Sequence, residues 1–349
     1  MKYLYIVVLL CGFGYANAQQ RIKGFVCDKE TKEPVPYVYV YFDGTSINTL
    51  TDTLGRFKLA TKSMINAKLV IQHMTYQPLI IDPPFENLPD TLFIVEKLNP
   101  LNEVSISVKP DHFSREKKMK AFREQFLGLT NAGRSCIIMN EDDINLAYNL
   151  NTRRLLASSN VPIVVQNNYL GYKVVVTLLD FWAEYRSVSL NKNDLWKSFF
   201  STLSSFSDLN FNNKRKIKQH RDEVYKNSPT YFFKSFVNNS LEKDGFEVYN
   251  NGLKFNVNQY FELKDTLSKK EIIILPNTDI NKNQVFFEGE PKAVISVSYR
   301  FDNKSDIYFM TDSLLVDHYG NINHIDKVFF TGQMGECKAG DLLPIDYEP

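Results

Sequence analysis

The chain has 349 residues, of which 44% are hydrophobic, 23% charged and 13% aromatic. Lys and Arg number 41 against 40 Asp and Glu, a net charge of +1 that leaves no basic excess for binding nucleic acid. Only 15 Gly and 14 Pro, beside 26 Phe and 19 Tyr that need burying, exclude collagen, low-complexity and wholly disordered classes.

The chain opens with the pattern of a secretory signal. Lys2 is followed by an apolar core from Tyr3 to Phe13, and Ala16-Asn17-Ala18 places small residues before a cleavage site at Gln19. The apolar run is shorter than the roughly 20 residues that span a bilayer. Residues 1–18 are therefore expected to be removed, leaving an exported protein with no transmembrane helix. Export permits disulfides, but without Cys11 the cysteines are Cys27, Cys136 and Cys337. One intrachain bridge is the maximum, with Cys136 and Cys337 the pair considered, and three buried reduced thiols are expected instead.

From Arg21 to Val108 short strands recur between turns. Ile22, Gly24 and Val26 share one strand face, and Phe25 and Cys27 the other. Asp28 to Pro34 is a polar turn, and Tyr37 to Phe42 alternates again. Another strand near Ile47 to Thr51 leads to Asp52-Thr53-Leu54-Gly55, which fits a type I turn with Asp first and Gly last. Further strands are predicted at Phe57–Leu59, Ala67–Gln72, Thr91–Glu96 and Glu103–Val108. Roughly seven short strands in this span predict an Ig-like β-sandwich.

If Val38, Val40 and Phe42 face the sandwich core, Tyr37, Tyr39 and Tyr41 line the outer face at roughly 7 Å intervals. Phe25 is expected to join them from a neighbouring strand. Tyrosine packs apolar area while its hydroxyl stays hydrated, which suits interfaces and sugar faces. The candidate interface Phe25, Tyr37, Tyr39 and Tyr41 is expected to be covered by the rest of the chain, the open alternatives being a glycan or a partner protein.

These residues carry a resemblance. Gly24-x-Val26-x-Asp28 with Thr31, then Glu33-Pro34-Val35-Pro36, Gly44-Thr45 and Thr51-Asp52-x-x-Gly55-x-Phe57 resemble the carboxypeptidase regulatory-like domain, a transthyretin-like β-sandwich. Leu101-Asn102-Glu103-Val104 resembles the tail that follows it in Gram-negative envelope proteins. The resemblance implies a periplasmic or outer-membrane location and, through the family's occurrence in glycan importers, an association with glycan uptake. In the namesake enzymes the module follows the catalytic domain; here it comes first, which weakens an inference of peptidase activity.

Past Lys109-Pro110 the period changes. Met119, Phe122, Phe126 and Leu127 fall on one helical face within 111–127. Strands are predicted at Cys136–Met139, Ile144–Tyr148, Arg154–Ser158, Ile163–Gln166 and Tyr172–Leu178, then a helix over 212–226. Ser228 as N-cap and Pro229 at the first helical position start another, with Phe232, Phe233, Phe236, Val237 and Leu241 inward and Gly245 ending it. Strands return at Phe246–Tyr249, Glu271–Leu275, 285–287, Ala293–Arg300 and Val328–Phe330. The expected organisation is an α+β multidomain chain: signal peptide 1–18, β-sandwich 19–108, and an α+β domain 109–349. Phrases such as Leu170-Gly171-Tyr172-Lys173 and Leu342 to Tyr347 resemble the downstream region of the same envelope proteins.

Chemistry is sparse. His220-x-x-Glu223 has the spacing of a zinc pair, with His324 as a distant third ligand, yet it follows Lys214-Arg215-Lys216 and Lys218 and reads as a solvated helix face. Glu141-Asp142-Asp143 lacks the spaced ligands of a calcium loop and reads as a turn. There is no G-x-S-x-G elbow, phosphate loop, H-E-x-x-H or paired C-x-x-C. No cofactor, metal or catalytic residue is expected. The expected function is that of a non-catalytic envelope protein acting as an interaction or scaffolding module; glycan binding is the alternative and a zinc-dependent hydrolase the remote one.

Overall fold

The computed structural model describes residues 20–86, 88–97, 113–209, 213–266, 269–275, 290–301 and 303–349. The expected signal peptide, the expected boundary at Lys109-Pro110 and the strands expected at 103–108 and 285–287 lie outside the described residues, which are mostly β-sheet.

Among the described residues the first part has seven strands: β1 (Gln20–Asp28), β2 (Tyr39–Phe42), β3 (Asn48–Leu50), β4 (Arg56–Thr61), β5 (Leu69–Gln72), β6 (Leu79–Ile81) and β7 (Thr91–Ile94). They form a three-stranded sheet, β4-β1-β7, and a four-stranded sheet, β3-β2-β5-β6. Alternation sorts their side chains. Ile22 and Val26 of β1, Val40 and Phe42 of β2, Leu59 of β4 and Leu92 of β7 share one core with Val38. Asp52 and Gly55 close the expected turn with a 3.0 Å hydrogen bond, and Gly55 takes φ +69, open to glycine at little cost. Strand β6 has no counterpart in the sequence reading, because three residues between Pro78 and Pro83 carry no alternation and make only an edge strand.

Next come α1 (Arg115–Phe126), α2 (Asn131–Arg134), β8 (Cys136–Ile138), β9 (Ile144–Asn149), β10 (Arg154–Ser159), β11 (Ile163–Asn167), β12 (Tyr172–Tyr185) and β13 (Leu195–Asp208). Ser114 caps α1 by accepting from Lys117 N–H, and Met119, Phe122 and Phe126 are buried against the sheet β8-β11-β12-β10-β9. A register shift between Leu178 and Asp180 lets β12 run on to Tyr185, where a strand ending at Leu178 was expected. Strand β13, an edge strand on β12, was not anticipated. Its Ser and Thr residues dilute the apolar alternation, since its outer face meets polar partners at one end and solvent at the other.

The last part holds α3 (Lys214–Lys226), α4 (Pro229–Val237), α5 (Leu241–Asp244), β14 (Phe246–Asn250), β15 (Leu253–Lys254), β16 (Phe261–Asp265), β17 (Lys270–Ile274), β18 (Ala293–Tyr299), β19 (Asn303–Phe309), β20 (Ser313–Val316), β21 (Val328–Phe330) and α6 (Gly332–Gly335). Its sheets are β15-β14-β18-β19-β21 and β16-β17-β20. Ser228 accepts from Tyr231 N–H, Pro229 starts α4, and Phe232, Phe233 and Phe236 enter a core shared with both sheets. One helix through Leu241 was expected. Instead the chain breaks at Asn239, which takes φ 53, a conformation asparagine tolerates, and restarts as α5, ended by Gly245 at φ 95. Among the described residues beyond 113, most buried apolar side chains fall into two hydrophobic clusters. Among the described residues no helix is long and apolar enough to cross a membrane.

Two devices bind the parts together. The C-terminal tail crosses all of them: Gly340 O accepts from Asn167 Nδ2, Ile345 N–H donates to Gly44 O, Asp346 accepts from Ser46 N–H and Oγ, and Tyr347 Oη donates to Asp222. Asp317, 3% exposed, accepts from the backbone N–H groups of Tyr319, Gly320, Asn321 and Asn66 and from Asn321 Nδ2. Asn66 belongs to the first part and the other donors to the last.

Candidate interaction surface

Inward and outward residues alternate along β2 and its approach. Val38, Val40 and Phe42 are fully buried in the two-sheet core, so Tyr39 and Tyr41 emerge on the opposite face. That face packs on the β12–β13 hairpin. Tyr41 is 1% exposed and clusters with Val70 of β5 and Leu203 of β13. Its hydroxyl donates to Gln72 Oε1 at 3.1 Å, and Gln72 Nε2 donates to Thr177 Oγ1 of β12 at 2.7 Å. Tyr39 Oη lies 2.9 Å from Ser205 Oγ, and the two tyrosine rings are 5.1 Å apart. Burial pushes both phenol pKa values above their ordinary range, most for Tyr41.

Backbone pairing completes the seam. Gly44 N–H donates to Ser204 O at 2.7 Å, Phe206 N–H to Thr45 O at 2.9 Å, and Ser204 N–H to the Asp43 carboxylate at 2.7 Å. The free edge of β13 is covered here. Burial raises the Asp43 carboxyl pKa, opposed by the Ser204 hydrogen bond.

Phe25 and Tyr37 do not join this face. Strands β1 and β2 belong to different sheets, so Phe25 sits on the outer face of the other sheet, opposite Arg56, and is 44% exposed. Tyr37 precedes β2 with φ 57, which turns it out of the alternation and leaves it 65% exposed.

The outward face of the hairpin continues beyond the covered part. Pairing sets its rows as Val175 with Ser205, Thr177 with Leu203, Asp180 with Ser201, Trp182 with Phe199, and Glu184 with Lys197. The Val175 and Thr177 rows meet the tyrosines; in the rows beyond, Asp180, Lys197 and Phe199 are exposed, Trp182 is half-buried and Glu184 is buried. Both tryptophans of the chain lie on this hairpin. Trp182 and Phe199 stack at 5.9 Å with 26° between planes, and Leu156 of β10 stands beside Trp182. The Arg154 guanidinium lies 4.5 Å over the Trp182 ring, the Lys197 ammonium 5.6 Å from it and 5.3 Å from Trp196. Glu184 holds Arg154 at 2.7 Å and Lys197 at 3.9 Å. Trp196 remains 59% exposed and Phe199 45%, while Phe181, Ala183 and Tyr185 on the reverse face are buried beneath α1. This aromatic and charged platform went unread in the sequence because it depends on pairing β12 with β13. The alternation of Trp182 and Glu184 with Phe181, Ala183 and Tyr185 was the available signal.

Residues 22–106 match the family described as the CarboxypepD_reg-like domain. The chain carries a carboxypeptidase regulatory-like domain. No curated protein matches the chain. The regulatory-like domain includes all of β2–β7 and most of β1, and its motif residues hold turns and close approaches. Asp28 Oδ1 accepts from Glu30 and Thr31 N–H, and Thr51 Oγ1 donates to Val35 O while accepting from Val38 N–H. A Cβ on Gly24 would lie 2.9 Å from Asp90 O, which accounts for glycine there.

The remaining candidates take structural places. His220 is not a free surface residue: its ring stacks on Tyr169 at 3.6 Å and its Nδ1 lies 2.9 Å from Tyr169 O. Arg221 beside it donates to Leu170 and Gly171 O and covers the Tyr172 ring at 3.6 Å. Among the described residues no three His, Cys, Asp or Glu side chains gather as a metal site. Glu141 pairs with Arg123, and Asp143 accepts from Asn140. Cys27, Cys136 and Cys337 are free thiols of intermediate exposure, short of the full burial expected. Burial pushes the Cys136 thiol pKa to about 12 and that of Cys337 to about 11.

Proposed function

We propose that this protein is an exported, non-catalytic envelope protein whose regulatory-like domain is a transthyretin-like β-sandwich, followed by a separate α+β domain over 109–349. Its work is binding. The sandwich uses its tyrosine face as a buttress for the hairpin rather than as a contact for other molecules. The supporting observation is the open aromatic platform of Trp182, Phe199 and Trp196, which continues the sheet face beyond that buttress. Stacked aromatics with flanking charged groups match the composition of protein interfaces, where Trp and Arg anchor binding. A partner protein of the envelope is the first reading. A glycan is the second, favoured by Asp180 and Ser201, which set hydrogen-bonding groups in the row beside the Trp182 and Phe199 rings.

The test places a photo-crosslinking residue at Lys197, exposed between the two tryptophan rings, in cells and separates protein adducts from saccharide adducts, with a glycan panel binding assay on the purified chain alongside. Trp196→Ala with Phe199→Ala should shift stability by about 1 kcal/mol or less, because both side chains are largely exposed. The same pair should abolish the adduct or the glycan signal. Adducts that survive both substitutions, or a protein found only in the cytosol, would defeat the reading.

A further inference from the structure

A second feature, apart from the aromatic platform, lies on the outer face of the sheet β4-β1-β7. There β1 turns Arg21, Lys23 and Phe25 outward, β4 Arg56 and Lys58, and β7 Phe93. None of the outward positions on these three strands is Asp or Glu, although the chain as a whole holds 41 cations against 40 carboxylates. Lys23 and Lys58 stand directly opposite each other in the strand register, and both are exposed. Among the described residues neither lysine has a carboxylate at ion-pair distance, whereas Arg56 is paired with Asp52 at 2.7 Å. Like charges directly opposite on a sheet repel and cost stability. Protection of a free edge accounts for Lys58 on the edge strand β4, but not for Lys23 on the central strand β1.

The charge is set beside apolar surface. Phe25 and Phe93 are both exposed, in successive outward rows of the adjoining strands β1 and β7, and the Lys32 ammonium lies 4.6 Å from the centre of the Phe93 ring. Outward side chains of a sheet stand off one surface, so these lysines and phenylalanines meet a flat partner at the same time. A soluble acidic segment would neutralise the lysines and leave the phenylalanines in water. An anionic bilayer takes both, with the rings at the headgroup boundary and the ammonium groups on the phosphates. We propose that this face docks the protein on an anionic phospholipid surface.

Co-sedimentation of the full chain with vesicles is the test. The chain should bind vesicles of equal parts phosphatidylcholine and phosphatidylglycerol about tenfold more tightly than vesicles of phosphatidylcholine alone, or better. Raising salt from about 0.1 M to about 1 M should release it. Lys58→Glu turns a repelling pair into an attracting one, so it should raise the melting temperature while weakening binding to the anionic vesicles about tenfold or more. Phe25→Ser with Phe93→Ser, on side chains already exposed, should weaken the same binding about fivefold without unfolding the chain. A gain in stability together with a loss of binding separates docking from a structural role. Three results would overturn the proposal. They are equal binding to both kinds of vesicle, anionic-vesicle binding that Lys58→Glu leaves unchanged, and polyglutamate bound as tightly as the vesicles with no effect of the phenylalanine pair. The last would assign the face to an acidic partner protein.

Discussion

Tyr41→Ala is expected to destabilise the protein by about 3–5 kcal/mol, the range for removing a buried aromatic side chain. The ring is 1% exposed between Val70 and Leu203, so its loss leaves a void at the seam between the regulatory-like domain and the hairpin. It also strips the hydroxyl that donates to Gln72, the residue that in turn donates to Thr177 of β12. Tyr37→Ala is the internal control, because Tyr37 is 65% exposed and should change stability by no more than about 0.5 kcal/mol. Denaturant midpoints of the two variants check this. Similar small shifts for both would mean that the domain does not rest on the hairpin.

Asp317→Ala should cost about 3–5 kcal/mol for a different reason, the stranding of several buried donors at roughly 1–3 kcal/mol each before relaxation. Four backbone N–H groups and the Asn321 amide point at this carboxylate. Truncation leaves them facing a void in a loop that also fixes Asn66 of the regulatory-like domain. Asn66 Nδ2 donates to Leu315 and Asn321 O, so the loop is one hydrogen-bonded unit across two parts of the chain. Hydrogen exchange should show the amides of Asn66 and Tyr319 losing protection together, beside a fall in melting temperature. A variant that melts within a degree or two of the parent, with Asn66 still protected, would contradict this.

What could be read from the sequence follows how local its cause is. Strand β1 and helix α4 announce themselves, the first by strict alternation and the second by Ser228-Pro229 ahead of an aromatic face. The break at Asn239 could not be read, because the apolar spacing through Leu241 is as good for one helix as for two. For the candidate surface, alternation separates Val40 and Phe42 from Tyr39 and Tyr41, yet nothing local says that β1 and β2 lie in different sheets. Phe25 was therefore assigned to a face it does not share. Trp182 and Phe199 are distant in sequence and meet only through the antiparallel register of β12 and β13.

The most direct test of the account is hydroxyl-radical footprinting of the intact, folded protein, read by mass spectrometry at single residues. The central claim is that the tyrosine face of the regulatory-like domain is closed within the chain while the aromatic platform of the hairpin is open. Tyr41 should be modified far more slowly than Tyr37, and Trp196 and Phe199 should label readily, as their exposures of 1%, 65%, 59% and 45% require. Tyr41 labelled as fast as Tyr37, with Trp196 and Phe199 protected in the isolated chain, would reverse the assignment of the two faces and contradict the account.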